Sequence, residues 1–129
     1  MNAHLAGLSI TRTVTEADTA VALGSGDVPV LATPRLIAWL EAATCAAATH
    51  FGALADGQTS VGVRVTVEHL LATGVGGRIE LVAQAPQVDG RRLTFVVTAQ
   101  DAAGRPVAEG QIDRVVVDRA RFISRVPAV

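Results

Sequence analysis

Thr33-Pro34-Arg35-Leu36-Ile37-Ala38-Trp39-Leu40-Glu41-Ala42, continuing to Phe51, is the stretch on which the fold turns. A hydroxyl residue followed by proline reads as a helix start, with Thr33 at the N-cap and Pro34 at the first helical position. Leu36, Ile37, Leu40, Ala43, Ala47 and Phe51 then recur at three- and four-residue spacing and give one apolar face. Alanines at 42, 43, 46, 47 and 48 keep that face thin, so a sheet can approach closely and curl around it. Gly52 and the Asp56-Gly57 pair end the segment.

Outward from this helix the pattern changes to strands. Before it, Leu8 to Thr15 alternates loosely, and Gly24-Ser25-Gly26-Asp27 marks a loop. After it, Val61, Val63, Val65, Val67 and His69 share one face of a strand, with Gly62, Arg64, Thr66 and Glu68 on the other. Ile79, Leu81, Ala83 and Ala85 line a second strand, and Leu93, Phe95, Val97 and Ala99 a third, which the hairpin signal Asp89-Gly90 precedes. After a turn at Asp101 to Pro106, the last strand, Val107 to Asp118, carries Ala108, Gly110, Ile112, Arg114 and Val116 on one face. One helix with about five antiparallel strands is an α+β arrangement in which a curved sheet wraps a central helix, the hot-dog fold. Pairing two such sheets edge to edge covers exposed edges, so a homodimer is expected, alone or as a pair of dimers.

At 129 residues and 13.3 kDa the chain fits one domain spanning 1–129, with no repeat or linker dividing it. Mean hydropathy is +0.39, but the apolar residues fall in short runs, none long enough to cross a bilayer. No basic cluster followed by an apolar block opens the chain, so a cytoplasmic location without membrane contact is expected. A single Cys45 excludes an internal disulfide, and no Cys/His spacing suits zinc, so no metal is expected. Net charge of −1 and 3% aromatics argue against nucleic acid as a partner. The one basic concentration, Arg114, Arg119, Arg121 and Arg125, is dilute for a duplex but suits a ligand's phosphates.

Four side chains could carry chemistry. His69 points towards the helix at a strand end, where it can take and return a proton, although a satisfied core histidine has the same pattern. His4 and His50 have no such placement. Glu41 borders the buried face of the helix, as a base, as an orienter of His69, or as a carboxylate reaching solvent. Thr33 is an ordinary cap in one reading. In the other its hydroxyl attacks or positions water beside the helix N-terminal amides, which would hold an oxyanion. Arg114 is directed at an apolar surface and needs an anion, either Glu41 or a substrate group. Gly62 permits close approach of a ligand or marks a bulge, and Cys45 reads as inert filling within the helix. Thr33 and Glu41 lie about 12 Å apart along one helix at 1.5 Å per residue, so they share a reaction only if the substrate lies between them, if Thr33 precedes the regular helix or if a second subunit contributes, and a site at the dimer interface is expected.

The runs VLATPRLIAWLEAA from Val30, TSVGVRVTVEHLLATGVGG from Thr59 and EGQIDRVVVDRARF from Glu109 resemble the fluoroacetyl-CoA thioesterase-like family of hot-dog proteins. The resemblance extends from about Thr13 to Phe122. It implies that Thr33, Glu41 and His69 are catalytic, that Gly62 and Arg114 contact substrate, and that an acyl-CoA thioester is hydrolysed. Coenzyme A, or an acyl carrier protein in its place, then enters as part of the substrate and no cofactor is needed. Where the fluoroacetyl-specific enzyme carries gating phenylalanines, this chain has Gly26-Asp27-Val28-Pro29-Val30-Leu31, which argues against fluoroacetyl as the acyl group. Two alternatives stand beside hydrolysis: a hot-dog dimer that binds acyl-CoA or another apolar ligand without turnover, and an enoyl-CoA hydratase. A common pocket for Glu41 and His69 favours catalysis, and separate satisfaction of each favours binding.

Overall fold

The computed structural model of the chain describes residues 7–129. His4 lies outside the described residues. In chain order the elements are β1 (Gly7–Thr13), a 3-10 turn (Glu16–Asp18), α1 (Ala20–Leu23), α2 (Thr33–His50), β2 (Gln58–His69), β3 (Arg78–Gln84), β4 (Gln87–Asp89), β5 (Arg92–Asp101), β6 (Pro106–Asp118) and α3 (Arg119–Ser124). The strands form one antiparallel sheet in the order β1-β3-β5-β6-β2, with the short β4 paired to β5. The five long strands and the central helix are those expected from the alternation. The short β4, α1 and α3 are additional.

Helix α2 lies across the concave face. Leu36, Leu40, Ala43, Ala47 and Ala48 are fully buried against Ile79, Leu81, Ala83, Leu93, Phe95, Val97 and Ile112. Strands β3 and β5 contribute alternate residues, which is why their apolar periodicity read so directly. The alanines on the helix let Phe95, the largest fully buried side chain, fill the centre of the layer between helix and sheet. Cys45, expected as filling, is instead exposed, because it sits on the outer side of α2. Asp89 pairs with Arg92, so the β4–β5 loop has two residues, with Gly90 in the left-handed region at φ 59° as such a turn requires.

Two local departures shape the site. Thr33 is not the N-cap: Ala32 holds that position, Thr33 and Pro34 begin the helix, and no side chain caps its start. Pro34 fits either of the first two positions, so the cap was assigned one residue too late. The second departure is a β-bulge in β2, where pairing with β6 runs Gly62↔Arg114 and then Arg64↔Asp113, leaving Val63 unpaired. The strict alternation expected from Val61 to His69 is therefore broken. Gly62 faces the helix with Val65, Val67 and His69, rather than opposing them.

Candidate active site

Thr33 is presented at the start of α2 and His69 at the end of β2. Their side chains meet, with Thr33 Oγ1 2.7 Å from His69 Nδ1. The threonine hydroxyl is free for this bond because it does not cap the helix. With the hydroxyl donating, the imidazole is neutral, Nδ1 accepts and the proton resides on Nε2. Nε2 is buried and has no hydrogen-bond partner within the described residues. Burial lowers the His69 pKa from its ordinary 6.5, with the backbone of Leu71 pulling weakly the other way. A neutral imidazole holding a hydroxyl proton is arranged to act as a base.

The surrounding backbone adds donors. Asp18 O accepts the Ala32 N–H at 2.9 Å and Ala32 O accepts the Leu36 N–H at 3.0 Å, whereas the N–H groups of Thr33 and Arg35 have no partner within the described residues. Both belong to the first turn of an 18-residue helix, where orphan amides and the helix dipole favour negative charge. Thr33 and His69 open onto a cleft of about 360 Å³ whose walls include Val28, Val30, Leu31 and Leu70. Val28, Val30 and Leu31 belong to the segment that the resemblance set at the pocket, whereas Leu70 was not foreseen, since an isolated loop leucine carries no periodic signal.

Glu41 and Arg114 form a second group. Arg114 Nη1 lies 3.3 Å from Glu41 Oε2, Nε donates to Ser60 Oγ at 2.8 Å, and Nη2 donates to the Ser60 carbonyl at 3.0 Å. Arg114 is only 6% exposed and rigidly held, while the Glu41 side chain is 37% exposed and can present its other oxygen outward. Gly62 completes the group: a Cβ there would come within 2.5 Å of Glu41 Oε2 and 3.4 Å of Arg114 Nη1. Any larger residue at this point of the strand would have to push the Glu41 carboxylate from its present place beside Arg114. Ser60 escaped notice in the sequence, although a serine on the same face as Gly62, ahead of a valine run, is a signal that could have marked it.

Within one chain the two groups do not converge. Glu41 makes no hydrogen bond to His69, and the cleft lined by Thr33 and His69 does not include Glu41. Glu41 as an orienter of His69 in the same subunit is thereby corrected: its partner is Arg114. Among the described residues no three His, Cys, Asp or Glu side chains cluster to hold a metal ion, and no helix is long and apolar enough to cross a membrane.

A curved antiparallel sheet around one long helix, with a Thr–His pair at the helix start, defines a hot-dog protein of the thioesterase type. The family model described as fluoroacetyl-CoA-specific thioesterase matches residues 14–120, and the chain belongs to that family. A fluoroacetyl-CoA thioesterase from Streptantibioticus cattleyicolor is 30% identical over 97 residues, covering 75% of this chain and 68% of that protein. Among solved structures, a variant of the fluoroacetyl-CoA-specific thioesterase FlK superposes with a TM-score of 0.84 at 25% identity, covering 93% of this chain and 91% of that one. A Thermus thermophilus thioesterase superfamily member follows at 0.83 and 25% identity, over 92% and 85% of the two chains.

Proposed function

We propose that this chain hydrolyses an acyl-CoA thioester and that its active site is completed between two copies. The contact between Thr33 Oγ1 and His69 Nδ1 at 2.7 Å, beside the unpaired amides of the helix start, is the observation that carries the reading. Neutral His69 withdraws the Thr33 proton, and Oγ1 attacks the thioester carbon. The amides of Thr33 and Arg35 hold the oxyanion. As the C–S bond breaks, the thiol leaves with the proton returned from His69. Water then attacks the acyl ester, giving a proton to His69, which returns it to Thr33 Oγ1 as the ester bond breaks, so the acid is released and the neutral Thr33–His69 pair is restored. No redox or metal chemistry is required for this balance.

Glu41 enters from the other copy. Strand β2 is an edge of the sheet, and Val63 and Val65 on it are 49% and 38% exposed, a combination that favours pairing with another strand. An antiparallel pairing of two β2 edges centred on Thr66 counts three steps to His69. In the other direction it counts three steps to Gly62 once the bulged Val63 is skipped. Each Gly62–Glu41–Arg114 group then stands opposite His69 of the partner subunit, on the same face of the joined sheet. Glu41, fixed by Arg114, is placed to orient the attacking water. The acyl group is taken to be a short or branched hydrocarbon, given the Val28, Val30, Leu31 and Leu70 walls and the absence of phenylalanine from Gly26 to Leu31.

Non-catalytic ligand binding is the second reading, favoured by the separation of Glu41 and His69 within one chain. Free-thiol release from a panel of short, branched and aromatic acyl-CoAs decides between them. Turnover of one or more members, lost in folded His69→Ala and Glu41→Ala variants, supports hydrolysis. Saturable binding with no thiol release supports the binding protein.

A further inference from the structure

All eleven basic residues of the chain are arginines, and three of them gather away from the Thr33–His69 cleft. Arg91, Arg121 and Arg125 line a cleft of about 280 Å³ between the β4–β5 hairpin, the start of β2 and α3, with Gln58, Asp118 and Phe122 beside them. Among the described residues, none of the three arginines has a carboxylate within 4.0 Å, unlike Arg35, Arg92, Arg105 and Arg114. Asp118 is already committed, since its Oδ1 accepts the Arg121 N–H at 2.9 Å to cap α3. With Asp56 also on the wall, the lining of three arginines and two aspartates keeps a net charge of +1. Guanidinium forks left without carboxylates suit phosphate oxygens, which they bind in pairs.

The position of this cleft says what the phosphates would belong to. Gln58 pairs with Asp118 and Gly62 with Arg114, so both pairs lie on the helix-facing side of the same two strands. Asp118 is four residues beyond Arg114, about 13 Å at 3.3 Å per residue. Between the two, the same face carries the Ser60–Val116 pair, so a ligand spanning from Glu41 and Arg114 to the arginines would meet no charge on these strands. Coenzyme A has that order: thioester, neutral pantetheine arm, then a nucleotide with three phosphates. Phe122, 42% exposed, offers its ring to a base at the same place.

We infer that the Arg91–Arg121–Arg125 cleft holds the phosphorylated nucleotide end of coenzyme A, so that the carrier recognised is the free cofactor rather than a carrier protein. This rests on the thioesterase reading, but it can be tested apart from it. Adenosine 3′,5′-bisphosphate is titrated calorimetrically into wild type and an Arg121→Ala/Arg125→Ala variant whose circular dichroism matches wild type. KM is then measured for one acyl group carried on coenzyme A and on pantetheine. The expected result is saturable bisphosphate binding weakened roughly tenfold or more in the variant, with the ratio of the two KM values shifting by a similar factor. Absence of bisphosphate binding in wild type, or equal binding by both proteins, overturns the proposal. So does an unchanged KM ratio, or a variant defect seen only with an acyl carrier protein thioester. If wild type hydrolyses no thioester, the thioesterase reading fails while the titration still judges the cleft.

Discussion

Gly62 and His69 lie on the same face of β2 although they are seven positions apart, because the bulge at Val63 shifts the register by one. Both groups of the candidate site therefore sit on the concave side of the sheet: His69 with Thr33, and Gly62 with Glu41 and Arg114. Without the bulge one of the two would point away from α2.

Gly62→Ala should displace Glu41 from Arg114, since the added methyl would stand 2.5 Å from Glu41 Oε2. Misplacing a group next to the reacting atoms costs on the order of 10²-fold in rate. Steady-state kinetics on the folded variant should show that loss in kcat with a smaller change in KM. Wild-type kcat in Gly62→Ala would mean the ion pair is not part of the site.

Thr33→Val keeps the shape but removes the proton that His69 holds, whereas Thr33→Ser restores it. Loss of a positioned proton-transfer group is expected to cost about 10²–10⁴-fold, and the serine variant should retain most activity. Mass spectrometry after rapid quench should find the acyl group on wild type and not on Thr33→Val. A fully active valine variant contradicts a role for the hydroxyl.

The acid limb of kcat/KM should have its midpoint below 6.5, because burial lowers the His69 pKa. The same shift affects stability. Unfolded His69 binds a proton at higher pH than folded His69, so the stabilising contribution is complete above pH 6.5 and is lost as pH falls through 6.5 towards the lower folded value. Denaturant titrations of wild type and His69→Gln across pH 5–8 should show the steeper acid loss in wild type.

Removing Glu41 should hurt stability more than removing Arg114. Glu41→Ala leaves a guanidinium that is 6% exposed without its anion, at a cost of about 1–3 kcal/mol. Arg114→Met leaves a carboxylate that is already 37% exposed and can turn to water. Midpoints of urea unfolding compare the two, and a larger loss in Arg114→Met would reverse the assignment of which partner is fixed.

Most of the architecture was legible because alternate burial survives in the residues themselves: Ile79, Leu81 and Ala83, then Leu93, Phe95 and Val97, are all buried as the alternation required. Helix α2 ends within a residue of where its apolar spacing stops. The bulge was not legible from periodicity, because Val61, Val63, Val65 and Val67 alternate without interruption and only Gly62 hints at irregularity. Helix α3 was overlooked although Asp118 is a competent N-cap. Glu41, His69 and Arg114 stood out in the sequence as polar groups on or beside apolar faces, and Thr33 as a hydroxyl at a helix start. Their sorting into a Thr33–His69 pair and a Glu41–Arg114 pair depends on tertiary distances that no spacing encodes.

Subunit mixing tests the shared site most directly. His69→Ala and Glu41→Ala, each inactive alone, are unfolded together, refolded as a mixture and assayed for thiol release. If His69 of one subunit works with Glu41 of the other, half the dimers are mixed and each carries one intact site, so activity should recover to about a quarter of wild type. If both residues act within one subunit, every site in the mixture lacks a member and no activity returns, which would contradict the account.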